Sequence, residues 1–354
     1  MRSHDLRHVL THLITPLLMC VGMGLAYMGA FVTPEPNHLP VAVVGSGPDA
    51  KVLAQSVKDE AGDDLDVRTV ATRADAVDLL ESRDITGAYV PGGKAPEVVV
   101  ATAASDMGAM AAEKVFTPLA DQQGVPLKVT DVATPVDDDP TGQGLFFLLI
   151  AVSIGSYASV AALGAAGGAL PMRVRALLTL GVSVVVGGVG ALLAGPVFHL
   201  AHHDLAGLWG MAWLYAAGIL FIGVGLHTFL KRWTTLAMMV LFVMLNFTSS
   251  GGLFRPELQN GFFGTLHAFW NGAGFVEGAR SLLYFEGDGL GRSVWTLAAW
   301  LLLGLLVTAV AALRERAGAP AAATLPGHAK PDERKAVSAA EEGAEEEVEE
   351  TVGV

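Results

Sequence analysis

Charged and apolar positions separate into long blocks along this chain. No Asp, Glu, Lys or Arg occurs from His8 to Val32, from Gly142 to Met172, or from Ala176 to His203. The same holds from Leu205 to Leu230, from Trp233 to Leu253, and from Ser293 to Leu313. About 20 apolar residues in a helix cross the ~30 Å hydrocarbon layer of a bilayer. A helix on a water-soluble core keeps a polar stripe, and these blocks have none. The pattern predicts six spanning helices, at roughly 9–31, 144–166, 176–198, 207–229, 234–251 and 294–313. His199, His202, His203 and Asp204 mark a water-facing turn between the third and fourth.

The segment 33–142 alternates on a shorter period. Strands are expected at 41–45, 65–70, 86–90, 97–101 and 127–132, and helices at 49–61, 73–82 and 105–119. Asp75 is expected to open the second of these helices, and Ser105-Asp106 to cap the third. VPGGKAP (90–96) reads as a turn, and PVDDDPTGQG as the exit linker. About 110 residues suffice for a small α/β domain. The expected fold class is therefore an α-helical polytopic membrane protein, six transmembrane helices with an α/β domain inserted between helices 1 and 2. Its parts are an anchor at 1–32, the α/β domain at 33–142, a five-helix domain at 143–313 and a tail at 314–354. Within the third part, 252–292 is aromatic but broken by glycines, so it is expected to re-enter the membrane or lie at the interface. EEGAEEEVEE (341–350) makes the tail disordered and acidic by composition.

Charge adds an orientation. Arg2 and Arg7, Arg173 and Arg175, Lys231 and Arg232, and Arg314 and Arg316 all fall on one side if six helices alternate. By the positive-inside rule that side, with both termini, is cytoplasmic, and the α/β domain is extracytoplasmic. Arg255, Arg280 and Arg292 fall on the other side and run against the rule. The first apolar run exceeds 20 residues and lacks a clean cleavage site, so an uncleaved anchor is expected rather than a signal peptide. The whole chain of 354 residues carries a formal charge of −13, and 33–142 holds 8 basic against 19 acidic side chains. Acidity of the water-facing parts argues against a nucleic-acid partner. The single cysteine, Cys20, lies in the first block, so the α/β domain forms no disulfide.

Candidate chemistry is sparse. VAVVGSGPDA (41–50) carries G-x-G-x-x-A, the opening of a dinucleotide fingerprint, but the compartment is wrong for such a cofactor. A tight strand-to-helix turn with Pro48 in the first helical turn is the expectation, and no cofactor is expected. No G-x-x-x-x-G-K-[ST] occurs, so any ATPase would be a separate subunit. None of the six cores holds an acid. Glu277 and Arg280 are three apart, which puts them on one helix face where they can pair, with simple solvation at the membrane surface as the alternative. Asn246, deep in the fifth block, is expected to bond to a neighbouring helix, with a substrate-lining role as the alternative. Gly187, Ala191 and Gly195 repeat at a spacing of four, for packing within the chain or, alternatively, a dimer face. The His199–Asp204 cluster and His4, His8 and His12 hold metal-capable groups, but loop and interfacial roles are favoured and no metal is expected. Ser249-Ser250-Gly251-Gly252 resembles a nucleophile loop without an assignable base.

Two stretches carry a likeness. DPTGQGLFFLLIAVSIGSY (139–157) leads into the second helix, and LNFTSSGGLFRPELQNGFFGTLHAFWNGAGFVEGARSLLYFEG (245–287) holds S-S-G-G, a proline turn, an aromatic pair and a short helix ending in Arg. With one helix, an outer α/β domain and five more helices, the chain resembles the type-2 ABC exporter permeases, and within them the phage-infection-protein (Pip/YhgE-like) branch. The matching positions are Ser249, Ser250, Gly251, Gly252, Pro256, Phe262, Phe263 and Arg280. The likeness departs where Asn271-Gly272-Ala273-Gly274 replaces a proline usual after the aromatic pair, and the Pro171–Arg175 loop is short for docking an ATPase. The resemblance implies an exporter permease in the cell membrane, a homodimer with a separate ABC ATPase, moving an amphipathic or lipid-like substrate. Glu277, Arg280, Asn246, Ser249, Ser250, Gly251, Gly252 and Pro256 would then lie on the substrate path or gate. The alternative is a non-transporting surface receptor, adhesion or sensing protein whose outer domain binds a ligand or phage.

Overall fold

The computed structural model describes residues 3–92, 95–167 and 169–318, with side chains from residue 13 onward and excepting 165, 166 and 318. The side chains of His4, His8 and His12, and Arg2, the centre of the 90–96 turn and the acidic tail beyond 318 lie outside what is described. Residues through Ala312 form one compact unit.

The first helix, α1, runs Ser3–Phe31. The segment after it forms β1 (Leu39–Val44), α2 (Pro48–Ala61), β2 (Leu65–Val70), α3 (Arg73–Glu81), β3 (Gly87–Val90), β4 (Glu97–Val100), α4 (Asp106–Gln123) and β5 (Lys128–Asp131). The sheet order is β2-β1-β3-β4-β5, with only the β3–β4 pair antiparallel. Strand residues alternate between two faces, as a period of two requires. Ala42, Val44, Ala88 and Val99 pack with Ala76 and Leu80 of α3. Leu39, Val41, Tyr89 and Val98 face the other way, toward Ala112 and Phe116 of α4. The Gly45-Ser46-Gly47 turn joins β1 to α2. Gly45 has φ +147°, and a Cβ there would come 2.6 Å from the Ala50 Cβ. Pro48 is the first residue of α2. The cap of α3 is Thr72, whose side chain accepts from the Asp75 N–H, while Asp75 at the third helical position returns the bond. Asp75 therefore completes the cap rather than starting it.

The apolar blocks form α5 (Gly144–Ala166), α6 (Met172–Leu192, extended by a π turn at Leu193–Val197), α7 (Leu205–Leu230), α8 (Thr234–Met239), α9 (Leu245–Thr248) and α12 (Leu290–Gly318). The broken segment holds α10 (Gly261–His267) and α11 (Asn271–Tyr284). Among the described residues, five helices are long and apolar enough to cross a bilayer: Leu13–Phe31, Gly144–Gly164, Met172–Val197, Leu205–Thr248 and Leu290–Ala317. This is consistent with a polytopic membrane protein. The fourth is 44 residues long and merges the fourth and fifth blocks. It does not run straight. Lys231 has φ +48°, and beyond it Met238 folds back to within 3.0 Å of where a Gly223 Cβ would sit. Its second arm is also shorter than the block suggested. It holds a π turn at Val240–Met244 and stops at Thr248, where Gly251 turns to φ +72°.

Glycines bring the bundle together. A Cβ on Gly187 of α6 would lie 2.9 Å from the Trp213 backbone nitrogen of α7, so this repeat serves packing inside the chain. A Cβ on Gly225 of α7 would lie 2.8 Å from the Thr308 nitrogen of α12. Met172, Val224 and Ala311 cluster at one end of the bundle.

Candidate functional site

At the other end the sheet is held between two pieces of the 252–292 segment. Phe285, just after α11, is 5% exposed and joins the α3 face of the sheet. Leu258 and Phe254 join the α4 face. The backbone of Asn37, ahead of β1, donates to the Glu257 carbonyl at 2.8 Å. The apolar cores on both sheet faces are thus completed by residues more than 120 positions downstream of the last strand.

Between these contacts lies an ion network. Glu277 of α11 accepts from Arg83 Nη1 at 2.9 Å through Oε2, and pairs with Arg280 Nη1 through Oε1. Arg83 follows α3 and takes φ +63°. Its other nitrogen donates to Ser281 Oγ at 2.7 Å and to the Asp288 carbonyl at 2.9 Å, and its guanidinium lies 5.2 Å from the Phe285 ring centre. Arg280 also donates to the Gly251 carbonyl at 3.3 Å. Arg255 pairs with Glu257 at 3.1 Å and donates to the Arg83 carbonyl at 3.2 Å. His267 Nδ1 meets the Ser249 carbonyl at 3.0 Å. Arg255 and Arg280 are therefore paired with carboxylates inside the fold.

Electrostatics follow from this packing. Burial pushes the Glu277 carboxyl up, but Arg280, His267, Arg83 and Arg255 outweigh it and hold it at about 2. Burial likewise raises Glu257, and Arg255 overturns this and lowers it. Burial lowers His267 more than Glu277 raises it. Gly251 is held in the middle. A Cβ there would come 2.6 Å from His267 Cε1 and 3.3 Å from Glu277 Oε1. The network borders a chamber of about 380 Å³, which Arg83, Arg255, His267, Glu277, Arg292 and Pro256 help to line. Three guanidinium groups, an imidazole and carboxylates in one pocket suit a zwitterionic or anionic group better than an apolar one.

α11 enters the bundle deeply. Asn271 to Val276 are all buried, and Phe275 lies 5.1 Å from the Tyr215 ring. Beside it is a polar layer. Asn246 Nδ2 donates to the Tyr215 hydroxyl at 2.6 Å, and that hydroxyl pairs with Ser153 Oγ of α5. Asn246 thus bonds to a neighbouring helix, as expected of an amide in an apolar setting. Asn246 Oδ1 and both polar atoms of Asn271 are buried without a partner among the described residues. Gly272 presses on the Asn246 amide so closely that a Cβ would overlap it.

The remaining expected positions have local roles. The Ser249 and Ser250 hydroxyls donate to the carbonyls of Leu245 and Phe247, closing the end of α9. They face no base. Gly252 packs on Phe146, and Pro256 opens a short 3-10 turn. Among the described residues no group of three or more metal-binding side chains forms, and His203 pairs with Asp204 at 3.2 Å. Sequence reasoning missed Arg83, Arg255, Glu257, His267, Tyr215 and Ser153. Arg83 stands 194 residues from Glu277, a separation that no local period reveals. Comparison with protein-family models, with curated proteins and with solved structures gives no match for this chain.

Proposed function

We propose that this chain is an exporter permease of the type-2 ABC kind in the cell membrane, moving an amphipathic or lipid-like substrate outward. In this reading six helices cross the bilayer, because the 44-residue run reverses at Lys231 and is far too long for one crossing. Both termini are cytoplasmic and the α/β domain lies outside. Segment 252–292 sits at the outer interface, with α11 dipping between the spanning helices. A homodimer and a separate ATPase subunit complete the transporter, since no P-loop is present.

The observation that carries the reading is the clasp of the sheet onto α11 through Arg83, Glu277 and Arg280. A helix buried in the bundle and bonded to the outer domain couples rearrangement of one to the other. The chamber beside it offers polar groups to the head of an amphipathic molecule, and the Asn246–Tyr215 layer lies on the bundle side.

The test uses cells lacking the chain, complemented with wild type or Arg280→Ala at equal membrane expression. Accumulation of amphipathic fluorescent dyes should fall with wild type and not with the variant. Normal efflux with Arg280→Ala removes the gate assignment. Unchanged accumulation on deletion of the chain favours the second reading, a surface receptor or sensing protein. That reading draws on a groove of about 910 Å³ between α3, Val132–Val136 and Tyr284–Asp288. Capture of an ATP-binding subunit in mild detergent would support export directly.

A further inference from the structure

The opposite end of the bundle holds a second cavity, of about 520 Å³, between α5, α7 and α8. Its walls are Tyr157, Val160 and Met238, with Ala161 at the outer edge. Its rim is the reversal at Lys231 and Arg232, both exposed. No carboxylate lines it, and neither rim residue pairs with an acid among the described residues. The reversal holds its shape by local bonds. The Thr234 hydroxyl donates to the Lys231 carbonyl at 2.7 Å, and Arg232 stacks 5.3 Å from the centre of the Trp233 ring. Trp233 is itself 44% exposed, as a residue at a membrane–water boundary is. His227, in the last turn of α7, flanks the rim, its ring lying over Gly164, where any Cβ would collide with it.

An apolar slot that opens beside two cations suits one kind of occupant. We infer that it binds an anionic glycerophospholipid, with the phosphate at Lys231 and Arg232 and the upper acyl chain along Val160 and Met238. A free phosphate would gain nothing from the apolar walls, and a zwitterionic lipid carries its own cation to the basic rim. Two cations near a bilayer surface favour an anionic over a zwitterionic headgroup by roughly ten- to thirty-fold. The site lies away from the ion network and needs only the membrane setting, so it stands or falls apart from the export reading.

The experiment uses the full chain in mild non-ionic detergent with palmitoyl-oleoyl phosphatidylglycerol or phosphatidylcholine, counting retained lipid by native mass spectrometry. Wild type should retain phosphatidylglycerol at roughly ten- to thirty-fold lower concentration than phosphatidylcholine. Lys231→Gln with Arg232→Gln should erase the difference. Ala161→Trp, which fills the slot from its exposed edge, should weaken phosphatidylglycerol retention with both cations in place and an unchanged gel-filtration profile. Equal retention of the two lipids by wild type, or a preference that survives the double substitution, overturns the site. Displacement of phosphatidylglycerol by inorganic phosphate would assign a soluble anion instead and also overturns it.

Discussion

Glu277→Gln keeps the shape of the side chain and removes its charge, so it isolates the electrostatic part of the clasp. In the folded protein the carboxyl is held at about 2 against an ordinary 4.5. Each tenfold change in proton affinity is about 1.4 kcal/mol, which makes the charge worth about 3 kcal/mol. The side chain is 27% exposed, so water screens part of that, and about 2 kcal/mol is the better figure. Arg83 and Arg280 would also face each other with no carboxylate between them, which adds to the loss. Unfolding followed by tryptophan fluorescence in mild detergent at pH 7 should show a midpoint lower by about 3 °C. The sign with pH is determined. A carboxylate with a depressed folded pKa stabilises fully above its unfolded value and loses that contribution as pH falls through its folded value. The gap between wild type and variant should therefore be full above about pH 4.5 and close toward pH 2. A gap under about 1 °C at pH 7, or one that is unchanged at low pH, would refute the reasoning. Combining Glu277→Gln with Arg83→Ala should cost less than the sum of the two singles by about 1–3 kcal/mol, because they share one bond.

Four further outcomes follow from the same contacts. Phe285→Ala should destabilise by about 3–5 kcal/mol, since it empties a buried aromatic site at the α3 face; limited proteolysis should then cut 37–140 faster, and an unchanged rate would mean that the sheet stands without the clasp. Gly251→Ala forces a side chain into φ +72° and against His267, so folded yield should fall while Gly261→Ala, which meets nothing, leaves it intact. Gly272→Ala should be destabilising because it strikes the Asn246 amide, and adding Asn246→Ala should recover part of the loss; no recovery would place the strain elsewhere. Gly225→Leu should separate α12 from α7 and lower the unfolding midpoint, whereas Gly210→Leu, with nothing within 4 Å of its Cβ position, should not.

Element boundaries in the α/β segment were legible to within a few residues. The strand expected at 65–70 is β2 at Leu65–Val70, and the helix expected at 49–61 is α2 at Pro48–Ala61. Alternation and capping are local signals, and local physics decides them. The fifth block was less legible. It carries no charge through Leu253, but the helix ends at Thr248 because Gly251 adopts a backbone conformation that hydropathy does not encode. At the site, the Glu277–Arg280 pair followed from a spacing of three on one helix. The partners that complete it did not, because Arg83 and Arg255 arrive from separate segments.

By itself the sequence determined which segments prefer lipid and which prefer water, and where strands and helices of the α/β segment begin. Both are sums over neighbouring residues, with burial energy that grows with apolar area. Only the tertiary structure decided that the sheet borrows Phe285, Leu258 and Phe254 for its faces, that a lone arginine after α3 bonds to a helix 194 residues later, and that a 44-residue helical run doubles back. Those outcomes depend on where distant surfaces meet, and a buried charge becomes favourable only once its partners from other segments are in place.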